Sequence, residues 1–124
     1  NDGDFYFRDI EEEICLNILN NENCIISLGG GSVINSKIRN MMQKNSYSIY
    51  LKVDIGELEK RLRYSRKRPL LNNEDKKKVI QNLYEQRKIF YENADLVIEN
   101  NFDKIEVITN IQEKINKTWK KKYI

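Results

Sequence analysis

The stretch that decides the fold is SLGGGSV at residues 27–33, which directly follows the short apolar run CII at residues 24–26. Three consecutive glycines are costly, because glycine loses more backbone entropy on folding than any other residue. One glycine is enough for a tight turn between a strand and a helix. Three in a row favour a close approach of bare backbone to a ligand, with the tight turn as the simpler alternative.

The chain around the glycines alternates short apolar strands with helical patterns. Strands are predicted at residues 24–28, 48–53 and 95–99, and helices at residues 10–19, 35–43, 74–94 and 104–119 and directly after Asp54. In the first of these helices Ile10, Ile14, Ile18 and Leu19 recur at helical spacing and are expected to face a core. The alternation predicts an α/β fold with a parallel sheet, in which ligands gather at the carboxyl ends of the strands. The glycine run lies at such an end.

Composition narrows the class of protein. The 124 residues fit a single domain, 1–124, and the net charge of +3 does not by itself indicate nucleic acid. The sequence contains no histidine and only two cysteines, which argues against a zinc site and against His-based triads. No apolar run is long enough for a membrane span, and the N-terminus does not resemble a signal peptide. These features predict a cytoplasmic protein that binds neither membranes nor nucleic acid.

The segment RLRYSRKRPLL, residues 61–71, concentrates four of the seven arginines of the chain. Arginine suits phosphate recognition better than lysine, because its planar fork of N–H donors matches phosphate oxygens. The segment is therefore a candidate lid over a phosphate, and a solvated run of charge is the alternative. No P-loop of the form G-x-x-x-x-G-K-[ST] accompanies it anywhere in the chain.

Two further arginines occupy positions of interest. Arg8 lies in FRxxE, beside Phe7 and three residues before Glu11, and Arg87 lies in the middle of a predicted helix. Taken singly, each is best explained as a partner in a local pair on its own helix.

Taken together, these motifs fall into a familiar order. Their order and spacing resemble those of shikimate kinase over essentially the whole chain. In chain order the motifs are FRxxE, a strand ending in LGGGS, YL, R-x6-RPLL and R-x3-Y-x2-A-D. The resemblance implies a three-layer P-loop kinase fold of the nucleoside-monophosphate-kinase type, with a parallel sheet. It also implies an enzyme, a phosphotransferase that moves the γ-phosphate of ATP to the 3-hydroxyl of shikimate in chorismate and aromatic amino acid biosynthesis.

The resemblance assigns a role to each matching residue. Arg8 and Arg87 match the two arginines that bind the shikimate carboxylate, and Glu11 matches the acid that orients the first of them. Phe7 matches the aromatic side chain beside this arginine. The backbone that meets shikimate is Gly29, Gly30 and Gly31. For the ATP side, Arg61 matches the arginine that stacks on adenine, and Arg68 matches the catalytic lid arginine that closes over the transferring phosphate.

The front of the family pattern is missing from these 124 residues. Shikimate kinases begin with a strand, a P-loop, a helix and a strand bearing an Asp-x-Asp motif, and these parts hold the triphosphate of ATP and Mg²⁺. The sequence is therefore expected to be an N-terminally truncated piece with an incomplete sheet and no kinase activity by itself. The full-length enzyme is expected to be a monomer.

Three other interpretations remain open from the sequence. One is another small-molecule kinase of the same fold, such as a relative of gluconate kinase. The second is a kinase-derived module that binds a small acid without catalysis. The third is a nucleic-acid-binding domain that uses residues 61–68 and the lysines at 120–122. Against the last, no platform of several aromatic side chains accompanies its arginines, since Tyr64 is the one aromatic residue among residues 61–68.

Overall fold

The computed structural model describes residues 2–63, 73–100 and 103–123. The chain divides into two compact units, Asn1–Ser48 and Ile49–Ile124, which are described separately below. The arginine-rich segment at residues 64–72, with its Pro-Leu-Leu end, lies outside the described residues. The prediction of one domain over residues 1–124 stays a prediction.

The first unit is a pair of helices joined through the glycine turn. Helix α1 (Asp2–Leu19) is followed by a 3₁₀ turn (Ser32–Ile34) and helix α2 (Ser36–Asn45). The side chain of Asn35 starts α2, because its Oδ1 accepts hydrogen bonds from the backbone N–H groups of Lys37 at 2.9 Å and Ile38 at 3.1 Å. This cap satisfies two of the N–H groups that the first turn of a helix leaves without partners.

The core of this unit lies between α1 and α2. Cys15 and Leu19 of α1 and Ile38 of α2 are buried, and partly buried apolar side chains pack against them from both helices and from the intervening segment: Leu16, Ile26, Leu28, Met41 and Met42. The inward side chains of α2 are thus Ile38, Met41 and Met42. The predicted inward face of α1 is wrong for Ile10, Ile14 and Ile18, whose exposed fractions are 37%, 51% and 37%. The buried stripe of α1 contains Leu19 but runs through Cys15 instead of these isoleucines.

The segment before the glycines is not a regular strand. Residues 24–28 were predicted as the first strand, but in the structure they take no secondary structure. A strand exists only where a neighbouring strand supplies hydrogen-bond partners, and the described residues of this unit contain no such neighbour. Ile26 and Leu28 of this segment pack against the core, whereas Cys24 and Ile25 are exposed, so only part of the apolar run is covered. The chain turns at residues 20–23, and Asn23 there adopts a φ of 57°, a left-handed conformation that asparagine tolerates.

The second unit contains the parallel strand pair. Strand β1 (Ile49–Lys52), helices α3 (Ile55–Arg63) and α4 (Asn73–Glu92), strand β2 (Leu96–Glu99) and helix α5 (Lys104–Tyr123) follow in order. The two strands pair in parallel, with Ile49 opposite Leu96 and Lys52 opposite Glu99. Parallel strands require a crossover connection, which α3 and α4 provide, and the α/β prediction is confirmed. The buried apolar side chains of this unit are Ile80, Leu96, Ile98 and Val107. None of the helices in the described ranges is long and apolar enough to cross a membrane.

Candidate functional site

The glycine turn has a geometry that does not itself require glycine. The carbonyl of Gly29 accepts a hydrogen bond from the backbone N–H of Ser32 at 3.0 Å, and that of Gly31 accepts one from Ile34 at 3.2 Å. No glycine in the described chain has a positive φ. A β-carbon at Gly30 or Gly31 would meet no atom of the described residues within 4 Å. Neither backbone conformation nor crowding by the described residues therefore explains why side chains are absent at Gly30 and Gly31.

The FRxxE residues form a small charged cluster on α1. Arg8 Nη1 donates a hydrogen bond to Glu11 Oε1 at 2.8 Å. The guanidinium also lies 5.6 Å from the centre of the Phe7 ring, a cation–π contact. The Glu11 side chain is only 17% exposed, whereas that of Arg8 is 52% exposed. The pair thus holds the guanidinium in one orientation and leaves much of it open to solvent.

The glycine turn and the charged cluster meet within the first unit. A β-carbon at Gly29 would lie 3.8 Å from Glu11 Oε2, which is ordinary contact distance. One carboxylate oxygen of Glu11 therefore binds Arg8 and the other faces the glycine backbone. Four residues predicted from the sequence, Phe7, Arg8, Glu11 and Gly29, come together although about twenty residues separate the two segments. This arrangement can hold an anionic ligand at Arg8 with its body against bare backbone.

A buried hydroxyl lies beneath the turn. Ser32 is only 1% exposed, and its Oγ lies 3.9 Å from Cys15 Sγ on α1. The same Oγ would lie 3.8 Å from a β-carbon at Gly29. Ser32 therefore fixes the turn against α1.

Sequence reasoning missed Arg39, which binds the turn from the other side. Its Nη1 donates to the backbone carbonyls of Val33 at 2.8 Å and Ile34 at 2.7 Å. A signal was available, because Arg39 lies four residues after the Asn35 cap of α2, one helical turn along the same face.

Arg87 lies in the second unit, on the half-buried side of α4. Its Nε is buried and has no hydrogen-bond partner among the described residues. A buried donor without a partner is expensive, and such groups at the surface of a cleft are commonly satisfied by a ligand. One turn further along α4, the ring of Tyr91 stacks on that of Tyr50 of β1, with ring centres 5.1 Å apart. Burial is the main cause that raises the pKa of Tyr50, and the nearby Tyr84, Tyr91, Glu92 and Glu99 add to it.

The predicted nucleotide contacts cannot be placed in detail. Arg61 falls within α3, but its side chain is outside the described set, and Arg68 lies outside the described residues altogether. In the described part of the chain, no group of three or more Asp, Glu, Cys or His side chains could hold a metal ion.

Comparison with known proteins decides the family. The shikimate kinase family model matches residues 1–116. The chain belongs to the shikimate kinase family. The shikimate kinase of Xylella fastidiosa strain M12 is 36% identical over 97 residues, which are 77% of this chain and 54% of that protein. The Bartonella henselae shikimate kinase is 39% identical over 98 residues, 79% of this chain and 47% of that protein.

A solved shikimate kinase has the same fold. The crystal structure of the Bacteroides thetaiotaomicron enzyme matches with a TM-score of 0.75 at 22% identity, over 89% of this chain and 66% of that one. This likeness confirms the predicted P-loop kinase fold. The chain spans about half the length of the curated shikimate kinases that it matches.

Proposed function

We propose that the protein carrying this chain phosphorylates the 3-hydroxyl of shikimate with ATP. The observation that carries the proposal is the junction of Arg8, Glu11 and Gly29. Glu11 fixes the Arg8 guanidinium through a 2.8 Å hydrogen bond and turns its second oxygen toward the glycine backbone. A ring bearing one carboxylate and several hydroxyls suits this arrangement, because the carboxylate pairs with arginine and the ring can lie against residues without side chains.

The roles within the first unit follow from this geometry. Arg8 binds the shikimate carboxylate, and Phe7 and Glu11 hold the guanidinium so that fewer rotamers are lost on binding. Gly29, Gly30 and Gly31 form the floor of the site. Among described residues, no hydrogen bond uses the backbone N–H of Gly29 or Gly31, so both remain available as donors. Arg87 is proposed as the second carboxylate ligand, a role supported by its buried Nε without a partner.

The chemical step joins the 3-hydroxyl oxygen of shikimate to the γ-phosphorus of ATP and breaks the bond from that phosphorus to the bridging oxygen of ADP. The hydroxyl proton leaves to a base. We place the P-loop, the Mg²⁺ ligands and this base outside these 124 residues, in agreement with the absence of a P-loop motif from the sequence. Arg61 and Arg68 are proposed to stack on adenine and to stabilise charge on the transferred phosphoryl group, as the resemblance implies.

A substrate panel tests the proposal. The protein as its gene encodes it is incubated with ATP and Mg²⁺ and with shikimate or gluconate, and ADP and the phosphorylated product are measured. We expect shikimate 3-phosphate and no gluconate product. The 124-residue chain by itself is expected to show no turnover. Preference for gluconate, or turnover of neither acid by the protein as encoded, would overturn the proposal. A cytoplasmic location and a monomeric state stay predictions.

A further inference from the structure

Weak local bonds close the described turn around the glycine floor. The turn closes through i to i+3 hydrogen bonds of 3.0–3.2 Å, from Ser32, Ile34 and Asn35 to carbonyls three residues earlier. Such 3₁₀ bonds have poorer geometry than those of an α-helix. Glycines upstream add conformational freedom instead of restricting it. Side chains from outside the turn can therefore add to the bonds that set the position of the floor relative to Glu11.

Two side chains meet this need from opposite sides. From α1, the buried Ser32–Cys15 contact anchors the start of the 3₁₀ turn. From α2, one nitrogen of Arg39 donates to two successive carbonyls, those of Val33 and Ile34, at 2.8 Å and 2.7 Å. These are the last carbonyls of the 3₁₀ turn, where a cation is favoured by the local dipole. Hydrogen bonds from a charged donor are also stronger than neutral ones.

Arg39 can hold the glycine turn in place because the helix that carries it, α2, is itself fixed. Asn35 caps the first turn of α2, and Ile38, next to Arg39 in sequence, is fully buried in the core of this unit. The guanidinium thus links a rigid helix to the end of the glycine turn. The start of the same turn faces Glu11 across 3.8 Å, measured to a β-carbon position on Gly29.

We propose that Arg39 is a positioning residue for the acid site. It holds the Val33 and Ile34 carbonyls and thereby fixes the distance of the Gly29–Gly31 backbone from Glu11 and Arg8. This inference rests on the proposed function and deepens it, because it assigns the affinity for the hydroxy acid to a residue that does not touch the acid. The effect is confined to the acid, and the nucleotide is bound without the help of Arg39.

The test compares steady-state constants for both substrates in the protein as its gene encodes it. Arg39→Ala is expected to raise the KM for shikimate about tenfold, the effect of losing one charge-assisted contact. The KM for ATP is expected to change less than about twofold. Arg39→Lys restores a cation that can donate to the same carbonyls and is expected to recover most of the affinity for shikimate. Lys37→Ala, which removes another basic side chain from α2, is the matched control and is expected to behave as wild type.

A second measurement addresses the mechanism directly. Without any ligand, backbone amide exchange at Ser32, Ile34 and Asn35, whose N–H groups close the turn, is expected to accelerate in Arg39→Ala and to keep the wild-type rate in Lys37→Ala. If Arg39→Ala is too unstable to assay, Arg39→Gln keeps a neutral donor and is expected to give an intermediate KM for shikimate.

Each outcome decides the question. An unchanged KM for shikimate in Arg39→Ala or Arg39→Gln, or equal increases in the KM of both substrates, would overturn the positioning role while the proposed function stands. Absence of shikimate turnover in the wild-type protein would overturn the proposed function, and this inference with it.

Discussion

At the scale of single residues, the most informative contrast lies within the glycine run. Glycine is normally selected for a positive φ or for tight packing, and neither condition applies to Gly30 or Gly31. Their lack of side chains serves something beyond the described chain. A hydroxy acid lying against this backbone would explain why side chains are absent. A substitution at these positions can then raise stability and still weaken binding.

Gly30→Ala should therefore stabilise the fold and weaken the function. Because the backbone already has a negative φ, alanine reduces the entropy of the unfolded chain and is expected to raise the free energy of unfolding by about 0.4–1 kcal/mol. The added methyl occupies the ligand side and should raise the KM for shikimate at least about tenfold. Thermal unfolding and kinetics of the same sample measure both. Gly3→Ala, within α1, is the control and should change stability alone. A loss of stability in Gly30→Ala, with unchanged KM, would contradict this assignment.

Tyr50 makes stability depend on pH in the alkaline range. Its pKa is raised in the folded state, chiefly by burial, so the folded state keeps the phenol proton that the unfolded state releases above about pH 10. The stabilisation is complete below pH 10 and is lost as the pH rises through the folded pKa. Tyr50→Phe should flatten this part of the stability profile, measured by denaturant unfolding between pH 8 and 11. Tyr6→Phe, at an exposed position on α1, should keep the wild-type slope. Equal slopes for wild type and Tyr50→Phe would refute this reasoning.

At the scale of elements, helix α2 connects the glycine turn to the core. Its start depends on Asn35, whose side chain accepts two backbone hydrogen bonds. Asn35→Ala is expected to lower the free energy of unfolding by about 1 kcal/mol, and Asn35→Asp should restore most of it, because both Asn and Asp cap helices well. Thermal unfolding followed by circular dichroism provides the measurement. If Asn35→Ala were as stable as wild type, the cap would not be what starts α2.

Sequence patterns predicted the order of helices and strands because apolar spacing reports local geometry. They failed where structure depends on distant partners. Residues 24–28 have the composition of a strand but no neighbour to pair with in their unit, and the spacing of Ile10, Ile14 and Ile18 reports a helix without saying which face is covered. The charged pair of Arg8 and Glu11 was predictable from its i, i+3 spacing. The contact of Glu11 with Gly29 was not predicted, since spacing within α1 does not reveal what packs against it, and the resemblance only assigned both residues to the same ligand site.

At the scale of the whole molecule, membership of the shikimate kinase family and the geometry of the first unit both support the proposed phosphorylation of shikimate. The family model spans most of the chain, and the fold matches a solved shikimate kinase with a TM-score of 0.75. The central claim is that Arg8 binds the acid. The Arg8 side chain is 52% exposed and bonds within its own helix, so we expect Arg8→Ala to remain folded, although the 17%-exposed Glu11 loses this partner.

The most direct test measures kcat/KM for shikimate at saturating ATP in the protein as its gene encodes it, for wild type, Arg8→Ala and Lys37→Ala. Lys37 also pairs with a glutamate of α1, Glu12, at 3.5 Å, and so controls for loss of an ion pair. We predict a loss of about a hundredfold for Arg8→Ala, with a change of less than about twofold for Lys37→Ala and similar melting temperatures for all three. Wild-type kcat/KM in Arg8→Ala, or an equal loss in both variants, would contradict the account.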